Sequence, residues 1–162
     1  NYKLFKSDYI GNYFFVLLFP AKWSFETLEC WLPGGFWTEK ATKFHISQDH
    51  EFYSGRKKYA SNVEGAYYAA RLGVLEYLQK IKKQAAAIVF REVTPEYSIG
   101  LGVWVIRESV RKAFEKNQMD FYDLDLVLEY ISRRLKVPLK FYLKESKLLD
   151  SALHQKKLFE FS

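Results

Sequence analysis

The apolar run that fills residues 12–19 (NYFFVLLF) from Tyr13 onward and ends at Pro20 constrains this chain more than any other feature. It is too short to span a bilayer. It lacks the basic leading region and small-residue cleavage site of a signal peptide. It reads as a buried strand stopped by proline. Residues 23–32 alternate at Trp23, Phe25 and Thr27 before turning apolar, which predicts a second strand closed by Pro33-Gly34-Gly35. Residues 36–61 are irregular, polar and basic. They are expected to form a long, partly ordered loop with short strands near Phe44–Ser47 and Glu51–Tyr53.

The clearest helix is Glu64–Lys83, where Tyr67, Ala70, Val74, Leu78 and Ile81 share one face. Ala85–Val93 is β-branched enough for a central strand, halted before Pro95. Gly100-Leu101-Gly102-Val103-Trp104 is a glycine-rich turn feeding a helix over 105–116, with Ile106, Val110, Ala113 and Phe114 inward. Asp120 is read as the N-cap of the next helix, with Phe121, Leu124, Leu128, Ile131 and Leu135 as its core stripe and Pro138 as its end. A last amphipathic segment covers about 140–153. Strands early, helices late and one strand between helices predict an α+β fold. The expectation is a mixed, largely antiparallel sheet packed by three to four helices. A single domain over 1–153 is followed by a flexible tail, 154–162.

The chain has 162 residues, 49% hydrophobic and 27% charged, within the range of one globular domain. With 14 Phe, 12 Tyr and 4 Trp, aromatics are numerous enough that some are expected to line a groove or interface as well as the core. Cys30 is the lone cysteine, which excludes an internal disulfide and any multi-cysteine zinc site within these residues. It points to a reducing, cytoplasmic setting. The formal net charge is +6, and the stretch from Arg133 to Lys157, with eight basic residues against Glu145 and Asp150, holds the whole excess. Such an end suits a polyanion such as DNA, or is simply a solvated pair of helix faces.

Several charged residues stand where a core would not place them. Arg71 lies about 40° from Tyr67 around the helix axis, among apolar neighbours. It needs a buried carboxylate, with Glu92 and Glu108 as first candidates, or it faces an anion pocket. Arg91-Glu92 closes the central strand. Arg107 and Arg111 are one turn apart, beside Glu108 and just after Trp104, and such a guanidinium pair suits phosphate. Two readings follow: a structural Arg/Glu network, or a phosphate or nucleic-acid site built from Arg71, Arg91, Arg107, Arg111 and Trp104. His45, Asp49 and His50 make at most a weak metal pattern, and no metal is expected in this chain. There is no Walker loop, GxGxxG, nucleophile elbow or HExxH. No residue is identified as catalytic; Glu92 and Glu108 are the acid/base candidates if the chain is an enzyme.

The tail carries the spacing Gln155-x-x-Leu158-x-x-Phe161, which matches the three main anchors of the peptide that docks proteins onto the DNA polymerase sliding clamp, PCNA. One helical turn sets residues three apart on one side, so Leu158 and Phe161 form an apolar plug while the Gln155 amide fills a smaller polar pocket. Phe159 adds a further apolar contact. The full pattern has two adjacent aromatics, and Ser162 stands at the second position here, which predicts weaker binding or reliance on Phe159.

Two longer stretches resemble the archaeal DNA-repair family called Nre. One runs from Val63 through Arg71 to Leu78. The other is Arg91-Glu92-Val93-Thr94-Pro95-Glu96-Tyr97, continued by Gly102-Val103-Trp104-Val105-Ile106-Arg107-Glu108-Ser109-Val110-Arg111. Gly11–Leu18 and Trp23–Pro33 are similar too. Where the family pattern tends to have proline before Gly-Val-Trp, this chain has Gly100-Leu101, so no rigid turn is expected there. The resemblance implies DNA-damage repair, clamp binding through the tail, and a zinc-binding four-cysteine segment in an N-terminal part outside these residues. The chain is accordingly read as the C-terminal part of a longer protein. It implies no catalytic assignment. Three readings stand open: a clamp-recruited repair factor that binds DNA or a nucleotide, a nucleic-acid or nucleotide processing enzyme with an Arg/Glu phosphate site, and a non-catalytic scaffold with structural Arg/Glu pairs.

Overall fold

The computed structural model describes residues 1–116 and 118–160, with residues 157–160 described in backbone only. Six strands form one mixed sheet: β1 (Tyr2–Tyr9), β2 (Asn12–Phe19), β3 (Ser24–Trp31), β4 (His45–Glu51), β5 (Ala86–Val93) and β6 (Met119–Phe121). Their order is β4-β3-β5-β2-β1-β6. All neighbours pair antiparallel except β3 with β5, which run parallel with Trp31 opposite Val93. Helices α1 (Gly65–Ile81) and α2 (Trp104–Glu115) cover one face. Helices α3 (Leu124–Ser132), α4 (Leu139–Glu145) and α5 (Lys147–Glu160) cover the other. The protein is therefore α+β, as its element order predicts, with five α-helices among the described residues where three to four helices are expected.

The apolar run of β2 follows from this sandwich. Alternate residues point to opposite faces. Phe14, Val16 and Leu18 meet the α1/α2 layer, and Phe15, Leu17 and Phe19 meet the α3–α5 layer. Every residue of β5, between β2 and β3, is buried. Helices α1 and α2 approach closely at Gly73, where an added Cβ would fall 2.8 Å from Val110 Cγ1.

The structure departs from the sequence expectations at four places. Residues 2–9 form β1, joined to β2 by a tight turn in which Ile10 (φ 41°) and Gly11 (φ 76°) are both left-handed. Within 36–61 one seven-residue strand, β4, replaces two short ones. Asp120 lies in β6 beside Lys3, 3.1 Å away, and Phe121 ends that strand. The α3 cap is Asp123, whose carboxylate accepts from Asp125 N at 2.7 Å. The last amphipathic segment is two helices, broken at Ser146.

That break is set from across the sheet. The buried Glu26 carboxylate of β3 accepts from the Ser146 hydroxyl, Lys147 N (2.7 Å) and Gln48 Nε2 (2.7 Å), so it caps the start of α5. Burial pushes the Glu26 carboxyl above the usual range, and these donors partly offset the shift. The folded protein thus keeps this proton to higher pH than the unfolded chain. Its contribution is fully present below the ordinary carboxylate range and is lost as pH rises through the raised value. Urea denaturation at pH values rising above the ordinary carboxylate range is expected to show wild type losing more stability than Glu26→Gln. A gap between the two proteins that stays constant or moves the other way contradicts this assignment.

Candidate functional site

Because β3 and β5 are parallel, their carboxyl ends lie side by side, and Leu32 N donates to Val93 O at 2.9 Å. The starts of α1 and α2 meet at the same end. A Cβ added to Gly65 would sit 3.1 Å from Val103 Cγ1. The strand ends, these two helix starts and the loop before α2 enclose an open cleft of about 440 Å³. Ligands of open α/β sheets favour this position, outside the carboxyl ends of parallel strands.

Arg91 lines the cleft and is only 4% exposed. Its Nε and Nη2 donate to Asn12 Oδ1 at 3.0 and 2.6 Å, and its Nη1 donates to Glu29 Oε2 at 2.6 Å. Trp31 Nε1 donates to the other Glu29 oxygen at 2.7 Å. The guanidinium lies 5.4 Å from the Trp31 ring centroid and 5.9 Å from those of Tyr97 and Phe14. These hydrogen bonds use three of its five N–H groups. Trp31, Tyr97 and Trp37 supply aromatic lining, and Trp37 is 52% exposed. Tyr97 is pinned by its hydroxyl, which donates to Leu101 O at 3.0 Å. Neither α1 nor α2 has a side-chain cap, so their first-turn N–H groups add partial positive charge at this end. Chemically, the cleft offers two helix starts and a guanidinium paired with Glu29 to an anion, set against the Glu29 and Glu64 carboxylates, and flat aromatic faces to a planar ring.

The other predicted residues are distributed elsewhere. Arg71 is charge-paired, but to Glu51 at 2.7 Å rather than to Glu92 or Glu108. The reason is β4, which brings Glu51 to the sheet edge on the α1 side; Arg71 also lies 5.6 Å from the Trp23 ring centroid. Glu92 points to the opposite face from Arg91, as adjacent strand residues must. Its buried carboxylate accepts from Lys136 N and Val137 N, both at 2.9 Å, and from the Tyr142 hydroxyl at 2.8 Å. Arg107 and Arg111 do share a face of α2. Arg111 grips both oxygens of Glu76 at 2.7 and 2.6 Å and also donates to Glu108 at 2.6 Å. These bonds hold the Glu76 carboxyl below its usual range. Arg107 approaches Glu108 at 3.6 Å. Trp104, half exposed, lines a separate groove with Arg111, Glu108 and Ser7 of β1. The four arginines therefore do not converge, and Arg91 alone of them lines the cleft.

Asp49 is committed to the backbone of Asn62 and Val63, and strand alternation sends His50 to the opposite face from His45 and Asp49. In the tail, the expected boundary at 153/154 falls inside α5. Gln155 borders a groove with Phe19, Trp23 and Leu148, and Lys156 pairs with Asp123 at 3.1 Å and Asp125 at 2.6 Å. The side chains of Leu158 and Phe159, and Phe161 as a whole, lie outside the described residues. No helix among the described residues is long and apolar enough to cross a membrane. Sequence reasoning missed Asn12, Glu29, Trp31, Trp37 and Tyr97. Two of them left a signal: a polar Asn12 opening an apolar strand, and a Glu29 inside the buried part of another.

The family model described as "Archaeal Nre, N-terminal" matches residues 1–38, and that described as "Archaeal Nre, C-terminal" matches residues 51–161. The first region supplies β1–β3 and the second supplies β5, which inserts between β2 and β3, so the two share one sheet. The chain is 43% identical over 119 residues to DNA repair protein NreA of Haloferax volcanii, covering 73% of this chain and 28% of that one. It is 42% identical over 132 residues to DNA repair protein NreA of Archaeoglobus fulgidus, covering 82% and 33%. It is 33% identical over 161 residues to DNA repair protein NreB of the same organism, covering 99% and 40%. The chain thus spans less than half the length of these curated relatives. No solved structure matches it. With both family models matching along one continuous sheet, the chain belongs to the archaeal Nre family.

Proposed function

We propose that this protein is a DNA-repair factor that binds a nucleotide or nucleic-acid phosphate in the cleft beside Arg91 and is recruited to the sliding clamp by its terminal peptide. The repair role is supported by the names of its relatives. The recruitment is supported by the Gln155, Leu158 and Phe161 spacing. The observation that carries the ligand reading is the cleft itself, where a buried guanidinium, aromatic faces and two uncapped helix starts meet. The pairing of Arg71, Arg107 and Arg111 with Glu51, Glu108 and Glu76 favours a structural role for those three. Arg91 is paired as well, with Glu29 at 2.6 Å, but of the four it alone lines the cleft, and the phosphate reading rests on that position.

Calorimetric titration with deoxythymidine monophosphate tests the cleft, because a mononucleotide is small enough to report on it alone. Thymidine, which lacks the phosphate, is expected to bind at least about tenfold more weakly, the loss of one charge-assisted contact. Trp37→Ala removes an exposed aromatic face, and Val103→Glu sets a carboxylate at the α2 start. Both are expected to weaken monophosphate binding without lowering the melting temperature, since both positions are half exposed. Equal affinity for thymidine and its monophosphate sinks the reading.

A further inference from the structure

After β4 the chain crosses the flank of α1 as a strap, residues 52–63, before α1 begins. Arg56 ties this strap together. Its Nη1 donates to His50 O at 2.6 Å, its Nε to Lys58 O at 3.2 Å and its Nη2 to Tyr59 O at 3.3 Å. The same guanidinium lies 3.5 Å from the Asp49 carboxylate and 5.4 Å from the Tyr67 ring centroid. Gly55, at φ +77°, makes the turn that returns its N–H to Phe52 O at 2.8 Å. At the far end the Asp49 carboxylate accepts from Asn62 N and Val63 N at 2.9 and 2.7 Å. Backbone bonds of this kind fix the shape of a loop whose side chains are largely exposed.

What the strap displays is aromatic and cationic. Tyr53 is 63% exposed, Tyr59 is 59% exposed, and Phe52 and Lys57 and Lys58 are exposed as well. The Tyr59 ring stacks on Tyr68 of α1, with centroids 5.2 Å apart at 21°. Lys22 lies 5.6 Å from the Tyr53 ring centroid. No acidic residue occurs from Phe52 to Val63. With Arg56 offset by Asp49, Lys22, Lys57 and Lys58 are left as the surface charge. Aromatic faces interleaved with lysines on a fixed loop match the stacking platforms that hold unpaired bases and their phosphates.

We propose that the strap binds single-stranded DNA, with bases stacked on Tyr53 and on the Tyr59–Tyr68 pair and with phosphates met by Lys57, Lys58 and Lys22. Duplex DNA hides its base faces, so it satisfies only the lysines. The choice of DNA over RNA rests on the repair reading above; the single-strand geometry does not. The strap ends at Val63, which with the following Glu64 lines the Arg91 cleft, while Phe52 and Tyr53 at its start border the groove of Gln155.

Fluorescence anisotropy of the 162-residue chain with a labelled short oligo-deoxythymidine, its duplex and the matching RNA oligomer tests this. The single-stranded DNA is expected to bind at least about tenfold more tightly than the duplex. Tyr53→Ala/Tyr59→Ala is expected to lose roughly tenfold or more on the single strand and little on the duplex. Lys57→Ala/Lys58→Ala is expected to flatten the log–log salt dependence by about 1.4, two phosphates' worth on a single strand. Neither variant is expected to change the melting temperature or deoxythymidine monophosphate binding. Wild-type affinity in both variants, or a preference for duplex or RNA, overturns the proposal. Loss of mononucleotide binding with strap binding intact removes the cleft reading alone, and the reverse removes the strap alone.

Discussion

Arg91→Ala is expected to cost about 3–5 kcal/mol of folding stability in urea denaturation at neutral pH, the range for removing one partner of a buried ion pair. The substitution leaves Glu29 buried with only the Trp31 indole as a donor, and leaves the Asn12 carbonyl oxygen without either of its Arg91 bonds. It also empties the space against the rings of Trp31, Tyr97 and Phe14. Arg91→Lys is expected to recover only part of the loss, because a point-like ammonium cannot bridge Asn12 and Glu29 as the planar fork does. Arg111→Ala, at a site where the partners are half exposed, is expected to change stability little despite its three short hydrogen bonds. Wild-type stability in Arg91→Ala contradicts the account of this network.

The second large effect is on clamp binding. Leu158→Ala and Phe161→Ala are each expected to weaken binding to a purified sliding clamp by tenfold or more. Each removes an anchor worth about 1.5–3 kcal/mol when buried from water. Gln155→Ala is expected to do less, since it removes a polar contact. Deleting residues 155–162 is expected to abolish binding and leave the domain folded. Among the described side chains it forfeits only the Gln155 contact and the partly exposed Lys156 pairs with Asp123 and Asp125. Calorimetric titration checks all four, and equal binding by the double Leu158→Ala/Phe161→Ala variant refutes the assignment.

What was legible in the sequence was what is local. Residues 12–19, 65–81, 86–93 and 104–115 carry strong periodicity or continuous apolar runs, and each forms the expected element. β1 was missed because YKLFKSDY mixes charge into its alternation, and only Leu4, Phe5 and Ser7 are buried. β4, HISQDHE, has no apolar stripe at all; its pairing with β3 defines it. The helix break at Ser146 is set by Glu26, 120 residues away in sequence. The same limit governs the site. Arg91 stood out as a charge closing a buried strand. Trp31, Trp37 and Tyr97 did not, because only the parallel placement of β3 beside β5 gathers them around it. Arg71 among apolar neighbours needs a carboxylate or an anion pocket, and of these the structure supplies a carboxylate; naming Glu51 requires knowing that β4 lies at the sheet edge.

The central claim is that the Arg91 cleft takes a nucleotide phosphate. Nitrogen–proton correlation spectra of the isotope-labelled chain, recorded as deoxythymidine monophosphate is added, locate binding residue by residue. The expected shifts fall on the Arg91 Nε–H, the Trp31 and Trp37 indoles and the amides of Gly65, Ala66 and Trp104, with thymidine moving them far less. Silence at these signals, or shifts centred on Arg107 and Arg111, contradicts the claim.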